Sequence, residues 1–325
     1  MRIVLAIHDP PTWTLPTAEV ARIRASLPDA EILDTRTPDE RRAAFPDADV
    51  LVTTGLRRDE PPLLARVRWI HSTAVGVDGL LRPGLAERGV VVTNSRGIHA
   101  DPIAEHAIAL TLALRRGLHI AGRRQVARTW AQEELAARRT EPLGRTTMVV
   151  VGLGEIGSRV ARLAHGLGMR VIGVRRRPDE PVPPGVDQVR GADALHPALA
   201  EADVVVLALP MTPGTGTLLD RDALAAMRPT AILINVARGA LVDPEALVEA
   251  LRAGRLGGAG LDAFTREPLA SDSPLWDLPN VLITPHSASF QGDYWGPVVD
   301  LLLDNVGRFS RGDALRNVVD PEHGY

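Results

Sequence analysis

Two amino acids are missing from the sequence of 325 residues, which contains neither cysteine nor lysine. Without cysteine the chain has no disulfide, no thiol nucleophile and no cysteine-ligated metal centre. Without lysine it has no Schiff-base catalysis, no attached pyridoxal phosphate and no P-loop lysine. All 37 side chains in the combined lysine and arginine count are therefore arginines. Enzymes that depend on a catalytic cysteine or lysine are therefore excluded.

Long apolar runs and a strong net charge are also missing. The formal net charge of −3 gives no support to a nucleic-acid partner. No apolar run approaches the length that spans a bilayer, and the first segment, "MRIVLAIHDPPTW", soon turns to proline. We therefore expect a cytoplasmic protein with no nucleic-acid and no membrane partner. The chain length favours two domains.

Short β-branched or leucine-rich runs alternate with amphipathic segments, which is typical of βαβ units around a parallel sheet. One set lies at residues 2–94 and another at residues 147–285, and an apolar segment at residues 101–122, expected to be one long helix, joins them. This pattern predicts an α/β fold of two doubly wound, Rossmann-like parallel-sheet domains. Because ligands bind at the carboxyl ends of the strands in such folds, we expect an active-site cleft between the domains.

The stretch "MVVVGLGEIGSRVARLA" contains Gly152, Gly154 and Gly157 in G-x-G-x-x-G spacing, with Glu155 and Ile156 among them. It follows a predicted strand and opens a predicted helix, which is the context of a dinucleotide-binding loop. The three glycines would permit a tight turn, the close approach of a pyrophosphate and close helix–strand packing. The pyrophosphate would rest on the helix N-terminus. The alternative is a glycine-rich turn without a ligand.

The next strand, "RVIGV", is followed directly by Arg175, Arg176 and Arg177. NAD-binding folds usually carry an acidic residue at the end of this strand, where it accepts hydrogen bonds from the adenosine ribose. Arginine cannot accept these bonds, but its guanidinium can pair with a 2′-phosphate. The three arginines therefore favour NADP(H) over NAD(H). In the alternative they are a solvated turn, and Asp179 or Glu180 curls back to the ribose.

Three later motifs complete a series with the glycine loop. Arg238 lies in "INVARGALVDPEALVEAL", Asp262 and Glu267 lie in "GAGLDAFTREPL", and His286 lies in "NVLITPHSAS". The series resembles the D-isomer-specific 2-hydroxyacid dehydrogenases, a family that includes glyoxylate/hydroxypyruvate reductases and phosphoglycerate dehydrogenases. The resemblance covers nearly the whole chain.

The chemistry of a 2-oxo acid explains why these residue types occur together. Arg238 would hold the carboxylate and polarise the ketone, because its guanidinium is always charged. His286 would donate a proton to the developing alkoxide near neutral pH. Glu267 would favour the imidazolium and orient it. Each residue alone is more commonly a structural cap, turn or core residue; their order in one series favours a catalytic triad.

The resemblance assigns further residues to the two ligands. Around the cofactor it places, besides the glycine loop and the three arginines, Pro210, Thr215, Val236, Ala237 and Asp262. Around the substrate it places Val75 and Gly76 together with Arg238 and His286. Leu56, in "LVTTGL", is a further candidate for lining the substrate pocket. No metal is expected, because His99 and His106 lack the spacing of a zinc-binding helix and are interpreted as structural.

The resemblance also implies the domain organisation and the assembly. Residues 1–99 plus 288–325 would form a discontinuous substrate (catalytic) domain, and residues 100–287 a dinucleotide-binding Rossmann domain. A homodimer is expected through residues 121–145, where Trp130 lies; simple core packing is the alternative for that side chain.

The sequence therefore predicts an NADP(H)-preferring reductase that converts small 2-oxo acids of the glyoxylate or hydroxypyruvate type to (R)-2-hydroxy acids. A phosphoglycerate-type dehydrogenase is the enzymatic alternative, less favoured because no regulatory domain is expected after the tail. A non-catalytic, corepressor-like protein that senses NAD(P) is the alternative from another class.

Overall fold

The computed structural model describes residues 1–7, 13–77, 79–81, 84–138, 140–212 and 214–320. The chain forms two compact units: Met1–His99 with the chain from Gln291 onwards, and Ala100–Phe290. The second unit ends at Phe290, whereas the predicted boundary lies after residue 287.

The first unit is built on a five-stranded parallel sheet with the order β2-β1-β3-β4-β5. Its strands are β1 (Arg2–Ala6), β2 (Glu31–Asp34), β3 (Val50–Thr53), β4 (Trp69–Ser72) and β5 (Val91–Thr93). Its helices are α1 (Thr17–Ser26), α2 (Pro38–Ala44) and, near the end of the chain, α10 (Trp295–Arg311). The segment after α10 returns to the sheet, where the Val319 N–H donates to the Val92 carbonyl at 2.8 Å.

The second unit is built on a seven-stranded parallel sheet with the order β12-β11-β10-β9-β6-β7-β8. Its strands are β6 (Thr147–Val151), β7 (Arg170–Val174), β8 (Gln188–Arg190), β9 (Val204–Leu207), β10 (Ile232–Asn235), β11 (Gly258–Leu261) and β12 (Val281–Ile283). Its helices are α3 (Ala100–Arg115), α4 (Leu118–Val126), α5 (Gln132–Ala136), α6 (Glu155–Gly166), α7 (Leu195–Glu201), α8 (Arg221–Ala226) and α9 (Pro244–Arg252).

Both sheets are covered on both faces, which is why their central strands are apolar at nearly every position. In β6, Val149 and Val151 belong to one core of the second unit, whereas Met148 and Val150 belong to the other. Such alternation follows from the two-residue period of a strand. The architecture confirms the predicted fold of two parallel-sheet α/β domains.

The sheet order reverses beside β6, because β7 lies on one side of it and β9 on the other. Ligands of doubly wound sheets bind at this switch point, outside the carboxyl ends of the strands. The glycine loop, which follows β6 directly, lies there.

The prediction of one long helix over residues 101–122 is wrong. The segment forms two helices, since α3 ends at Arg115 and α4 begins at Leu118. Gly117 between them has a φ of +70°, a left-handed conformation that ends a helix and favours glycine. The apolar pattern is continuous through this break and does not reveal it.

None of the helices in the described ranges is both long enough and apolar enough to cross a membrane.

Candidate active site

The glycine loop follows β6 and leads into α6. Gly152 has a φ of +95°, and its N–H donates to the Val174 carbonyl at 2.8 Å. A Cβ atom on Gly152 would lie 2.7 Å from the Ala208 carbonyl oxygen, and one on Gly157 would lie 1.8 Å from the Gly152 carbonyl oxygen. Real Cβ atoms do not approach so closely, so the turn and its packing require glycine at both positions.

Gly154 is the N-cap residue of α6 and has a different environment. No side chain caps the helix there, and a Cβ atom would meet nothing within 4 Å. The start of α6 is thus open to a close-lying group, and its N–H groups and dipole favour an anion, which fits a pyrophosphate. The Glu155 carboxylate pairs with Arg159 at 2.6 Å, and Ile156 packs against the core.

The arginines after β7 differ in their environments. The side chain of Arg175 is 11% exposed, and its guanidinium donates to the carbonyls of Glu180 and, at 3.2 Å, Pro181. Arg175 thus holds the loop that follows it, and its contact with a cofactor stays a prediction. Arg176 is exposed, as is Arg177, which pairs with the Glu180 carboxylate at 3.2 Å.

The other residues assigned to the cofactor follow β9 and β10. Thr215 is half-buried, and its hydroxyl lies 2.6 Å from that of the buried Thr212, whereas Pro210 is exposed. Val236 and Ala237 are buried at the end of β10. Their contacts with a cofactor stay predictions.

His286 and Glu267 form a hydrogen-bonded pair. His286 Nδ1 lies 2.7 Å from Glu267 Oε2, and Glu267 Oε1 accepts the Phe264 N–H at 2.9 Å. Because a carboxylate oxygen accepts at Nδ1, the other ring nitrogen, Nε2, is the one left for a substrate.

Arg238 follows β10, in a turn that the side-chain amide of Asn235 stabilises through two hydrogen bonds to the backbone. The Asn235 amide donates to the Arg238 carbonyl at 2.9 Å and accepts the Ala237 N–H at 3.0 Å. A Cβ atom on Gly239 would lie 2.0 Å from the carbonyl carbon of Phe264. The chain after Arg238 therefore packs directly against the segment whose backbone holds Glu267.

Charges in this cluster favour the imidazolium form of His286. The hydrogen bond to Glu267 raises the pKa of His286 above its ordinary value, and it outweighs the lowering by burial and by the Arg238 charge. Burial acts to raise the pKa of Glu267, but the hydrogen bonds from His286 and the Phe264 N–H hold it below its ordinary value. Arg238 also lowers the pKa of Glu267, so the structure brings all three triad residues within electrostatic reach of one another.

Asp262 has a positioning function that sequence reasoning missed. Its buried carboxylate accepts the Thr284 hydroxyl at 2.6 Å and the N–H groups of Ser287 and Ala288 at 2.9 and 3.0 Å. These residues flank His286, so Asp262 anchors the segment that carries it. An acidic residue at the end of β11, beside the end of β12, was the available signal. Its contact with the cofactor stays a prediction.

Three residues assigned to the substrate belong to the first unit. Leu56 is buried after β3, and its N–H donates to the Gly79 carbonyl at 3.4 Å. Val75 and Gly76 are half-buried after β4, where the Asn94 amide donates to the Val75 carbonyl at 2.8 Å. Their contacts with a substrate stay predictions.

The remaining singled-out side chains have clear surroundings. His99 is buried and stacks on Tyr294 with ring centroids 4.0 Å apart, and burial lowers the pKa of His99 to about 4. Trp130 is 89% exposed, which excludes core packing within this chain. In the part of the chain that the structure describes, no group of three His, Asp or Glu side chains could hold a metal ion.

Comparison with known proteins identifies the family of the chain. Residues 108–288 match the sequence profile of the D-isomer specific 2-hydroxyacid dehydrogenase NAD binding domain. The chain is 34% identical over 288 residues to the glyoxylate/hydroxypyruvate reductase B of Pectobacterium carotovorum, an alignment that covers 88% of this chain and 89% of that protein. The chain belongs to the D-isomer-specific 2-hydroxyacid dehydrogenase family, whose members are NAD(P)-dependent enzymes.

Solved structures of the family share the fold. A D-isomer specific 2-hydroxyacid dehydrogenase family protein from Aeromonas salmonicida superposes with a TM-score of 0.82 at 33% identity, over 98% of this chain and 99% of that one. The NADPH-dependent glyoxylate/hydroxypyruvate reductase of Sinorhizobium meliloti, solved with NADP and sulfate, has a TM-score of 0.83 at 26% identity, over 100% and 99% of the two chains.

Alanine at two positions of the glycine loop should separate folding from cofactor binding. Gly157→Ala should lower the free energy of unfolding by about 1–3 kcal/mol, because the added methyl overpacks the turn. Gly154→Ala should leave the melting temperature unchanged but weaken NADPH binding by about tenfold, equivalent to about 1.4 kcal/mol, because the methyl enters open space beside the helix start. Thermal unfolding measures the change in stability, and NADPH fluorescence titration measures the change in cofactor affinity. Unchanged NADPH affinity in Gly154→Ala would argue against a pyrophosphate at this position.

Proposed function

We propose that the protein reduces small 2-oxo acids of the glyoxylate and hydroxypyruvate type to (R)-2-hydroxy acids, with NADP(H) as the preferred cofactor. The observation that carries the proposal is the His286–Glu267 pair at 2.7 Å, with the charge of Arg238 acting on both groups. A proton donor beside a cation is the arrangement that reduction of a 2-oxo acid requires. The relative and the solved structure with these two substrates in their names support the choice of substrate.

Arg238 binds the substrate carboxylate in this mechanism, and its permanent charge also polarises the neighbouring ketone. When bound, the nicotinamide cofactor supplies the hydride, which adds to the carbonyl carbon. The carbonyl oxygen then takes the proton of His286 Nε2, because Nδ1 is occupied by Glu267. In the oxidative direction neutral His286 accepts the hydroxyl proton through the same nitrogen.

This mechanism fixes the sign of the pH dependence. Reduction needs the imidazolium form, so its rate should be high at low pH and should fall as the pH rises through the pKa of His286. Since Glu267 raises that pKa, the active form persists to a higher pH than for an isolated histidine.

Two substitutions test the assignment of the proton donor. His286→Ala should lower kcat for reduction by about 10²- to 10⁴-fold, the usual contribution of general acid catalysis, and should leave NADPH affinity intact. Glu267→Gln should move the alkaline limb of the kcat/KM profile to lower pH, because the amide no longer favours the imidazolium. Glu245→Gln, an exposed glutamate of the same unit, serves as the control. Turnover that survives in His286→Ala would refute the proposed donor.

The preference for NADP(H) rests on the loop after β7. Arg175 is engaged by its own loop, whereas Arg176 and Arg177 are the exposed members of the set. The Glu180 carboxylate pairs with Arg177 at 3.2 Å and lies 3.8 Å from Arg175. Arginines follow the strand where an NAD-binding fold usually carries an acidic residue, so guanidinium groups are available here to pair with a 2′-phosphate.

Removing the two exposed arginines should change the cofactor preference. The double variant Arg176→Ser with Arg177→Ser should lower kcat/KM for NADPH by about 10- to 100-fold, the equivalent of one charge-assisted hydrogen bond, and leave the value for NADH nearly unchanged. Arg162→Ser, an exposed arginine on α6, should change neither value. A parent enzyme that already prefers NADH would show that these arginines are only surface charge.

A homodimer is part of the proposal. Leu118, Val126 and Trp130 are 59%, 87% and 89% exposed, and Val126 and Trp130 lie within the predicted contact region of residues 121–145, of which residue 139 is outside the described part of the chain. Large apolar side chains that are exposed within one short segment are typical of interfaces. A second copy of this chain is the partner we propose for them.

Sedimentation should report this interface. Trp130→Glu should raise the dimer dissociation constant by at least about tenfold, because buried tryptophans are typical hot spots of interfaces. Trp276→Glu is the matched control, since Trp276 is 48% exposed in a different region of the same unit. If both variants and the parent had the same dimer dissociation constant by sedimentation, Trp130 would not be part of a dimer interface.

One specific observation favours a second substrate. The D-3-phosphoglycerate dehydrogenase of Methanocaldococcus jannaschii is 30% identical over 93% of this chain, which covers 57% of that protein. Oxidation of 3-phosphoglycerate is therefore the second candidate activity. A panel of glyoxylate, hydroxypyruvate and 3-phosphoglycerate, assayed with both cofactors through NAD(P)H absorbance, separates the two candidates.

A further inference from the structure

A second histidine is hydrogen-bonded to the segment that carries His286. His106, on α3, has its Nε2 atom 2.9 Å from the hydroxyl of Thr284, the residue that follows β12. The Thr284 hydroxyl lies 2.6 Å from Asp262 Oδ1, and His106 Nε2 is 3.7 Å from the same oxygen. Three side chains from distant parts of the chain thus meet at the start of the segment that carries His286.

The number of hydrogens fixes the direction of these bonds. A threonine hydroxyl has one hydrogen, and at Thr284 it is donated to Asp262. Toward His106 the hydroxyl can therefore only accept, so His106 must carry its proton on Nε2. The bonds run in one direction, from His106 through Thr284 to Asp262. Asp262 is the common acceptor, because its carboxylate also accepts the N–H groups of Ser287 and Ala288.

The segment that carries His286 lies outside regular secondary structure, because β12 ends at Ile283. Side-chain hydrogen bonds therefore hold it in place. His286 has a φ of +52°, in the left-handed region that a residue other than glycine adopts only when its surroundings hold it there. Its own N–H donates to the Thr284 carbonyl at 3.0 Å, so the position of Thr284 sets the turn directly.

We infer that His106 is a positioning residue for His286, acting through Thr284 and Asp262. The inference rests on the proposed role of His286 as the proton donor. Its consequence is that α3, which carries no group that touches substrate in the proposed mechanism, contributes to the rate of the proton transfer. Misplacement of a reacting group by about 1 Å can lower a rate by about 10²-fold.

Two pairs of variants separate positioning from packing. Thr284→Val keeps the shape and removes the hydroxyl, and Thr284→Ser restores it; His106→Leu removes the donor, and His106→Gln restores an N–H. The Val and Leu variants should lower kcat by about 10- to 100-fold while NADPH affinity changes less than about twofold. The Ser and Gln variants should recover most of the loss. Thr111→Val is the control, because this buried threonine of α3 donates only to the Ala107 carbonyl.

The pH profile supplies a readout that packing alone would not move. The charged groups that act on His286 are Glu267, Arg238 and Asp262. A loosened segment weakens the bond between His286 Nδ1 and Glu267, so the alkaline limb of reduction should shift to lower pH in Thr284→Val and His106→Leu. It should not shift in Thr111→Val.

A direct measurement on the unmodified protein covers the case in which a variant fails to fold. Nitrogen chemical shifts of the histidine rings should show His106 as the Nε2–H tautomer. An Nδ1–H tautomer would overturn the inference, as would parent values of kcat and pH profile in Thr284→Val and His106→Leu when His286→Ala is inactive. Turnover in His286→Ala would instead refute the proposed function on which the inference rests.

Discussion

Parallel strands deliver their carboxyl ends to one edge of a sheet, and the chemistry of the second unit depends on that constraint. The glycine loop follows β6, Arg238 follows β10, Asp262 follows β11 and His286 comes shortly after β12. These residues are far apart along the chain, but the sheet order brings their strand ends to a common edge. Hydrophobic cores pack against both faces of the sheet, so the loops at this edge follow strands whose positions are fixed by packing.

Local contacts at that edge then give each group its task. Asn235 closes the turn before Arg238, the Phe264 N–H holds one oxygen of Glu267, and Asp262 ties down the segment around His286. As a result, Nδ1 of His286 is hydrogen-bonded to Glu267, and Nε2 is the nitrogen that remains for a reacting oxygen in the proposed mechanism. In the proposed mechanism, these polar groups determine which nitrogen acts, in the same way as other residues that orient a catalytic histidine.

Much of this was predictable from the sequence, for physical reasons. Strands buried on both faces are apolar at almost every position, and the glycine spacing follows from contacts that no Cβ atom could make, as at Gly157. The break at Gly117 was missed because the apolar pattern runs through it. The environment of Arg175 was missed because sequence order does not say whether a guanidinium turns outward or back onto its own loop. The bonds from His106 to Asp262 were missed because they join three distant segments.

The discontinuous first unit has a consequence for folding. Its sheet and helices come from both ends of the chain: α10 supplies Val299, Leu302 and Val306 to the core beneath β1 and β3, and Val319 pairs with β5. During synthesis these partners emerge after the second unit, which is contiguous and can fold as soon as its own residues are available. A folded second unit then replaces a long flexible loop by a compact body, which lowers the entropy lost when the two parts of the first unit meet. The cofactor-binding unit would thus assist the assembly of the unit into which it is inserted.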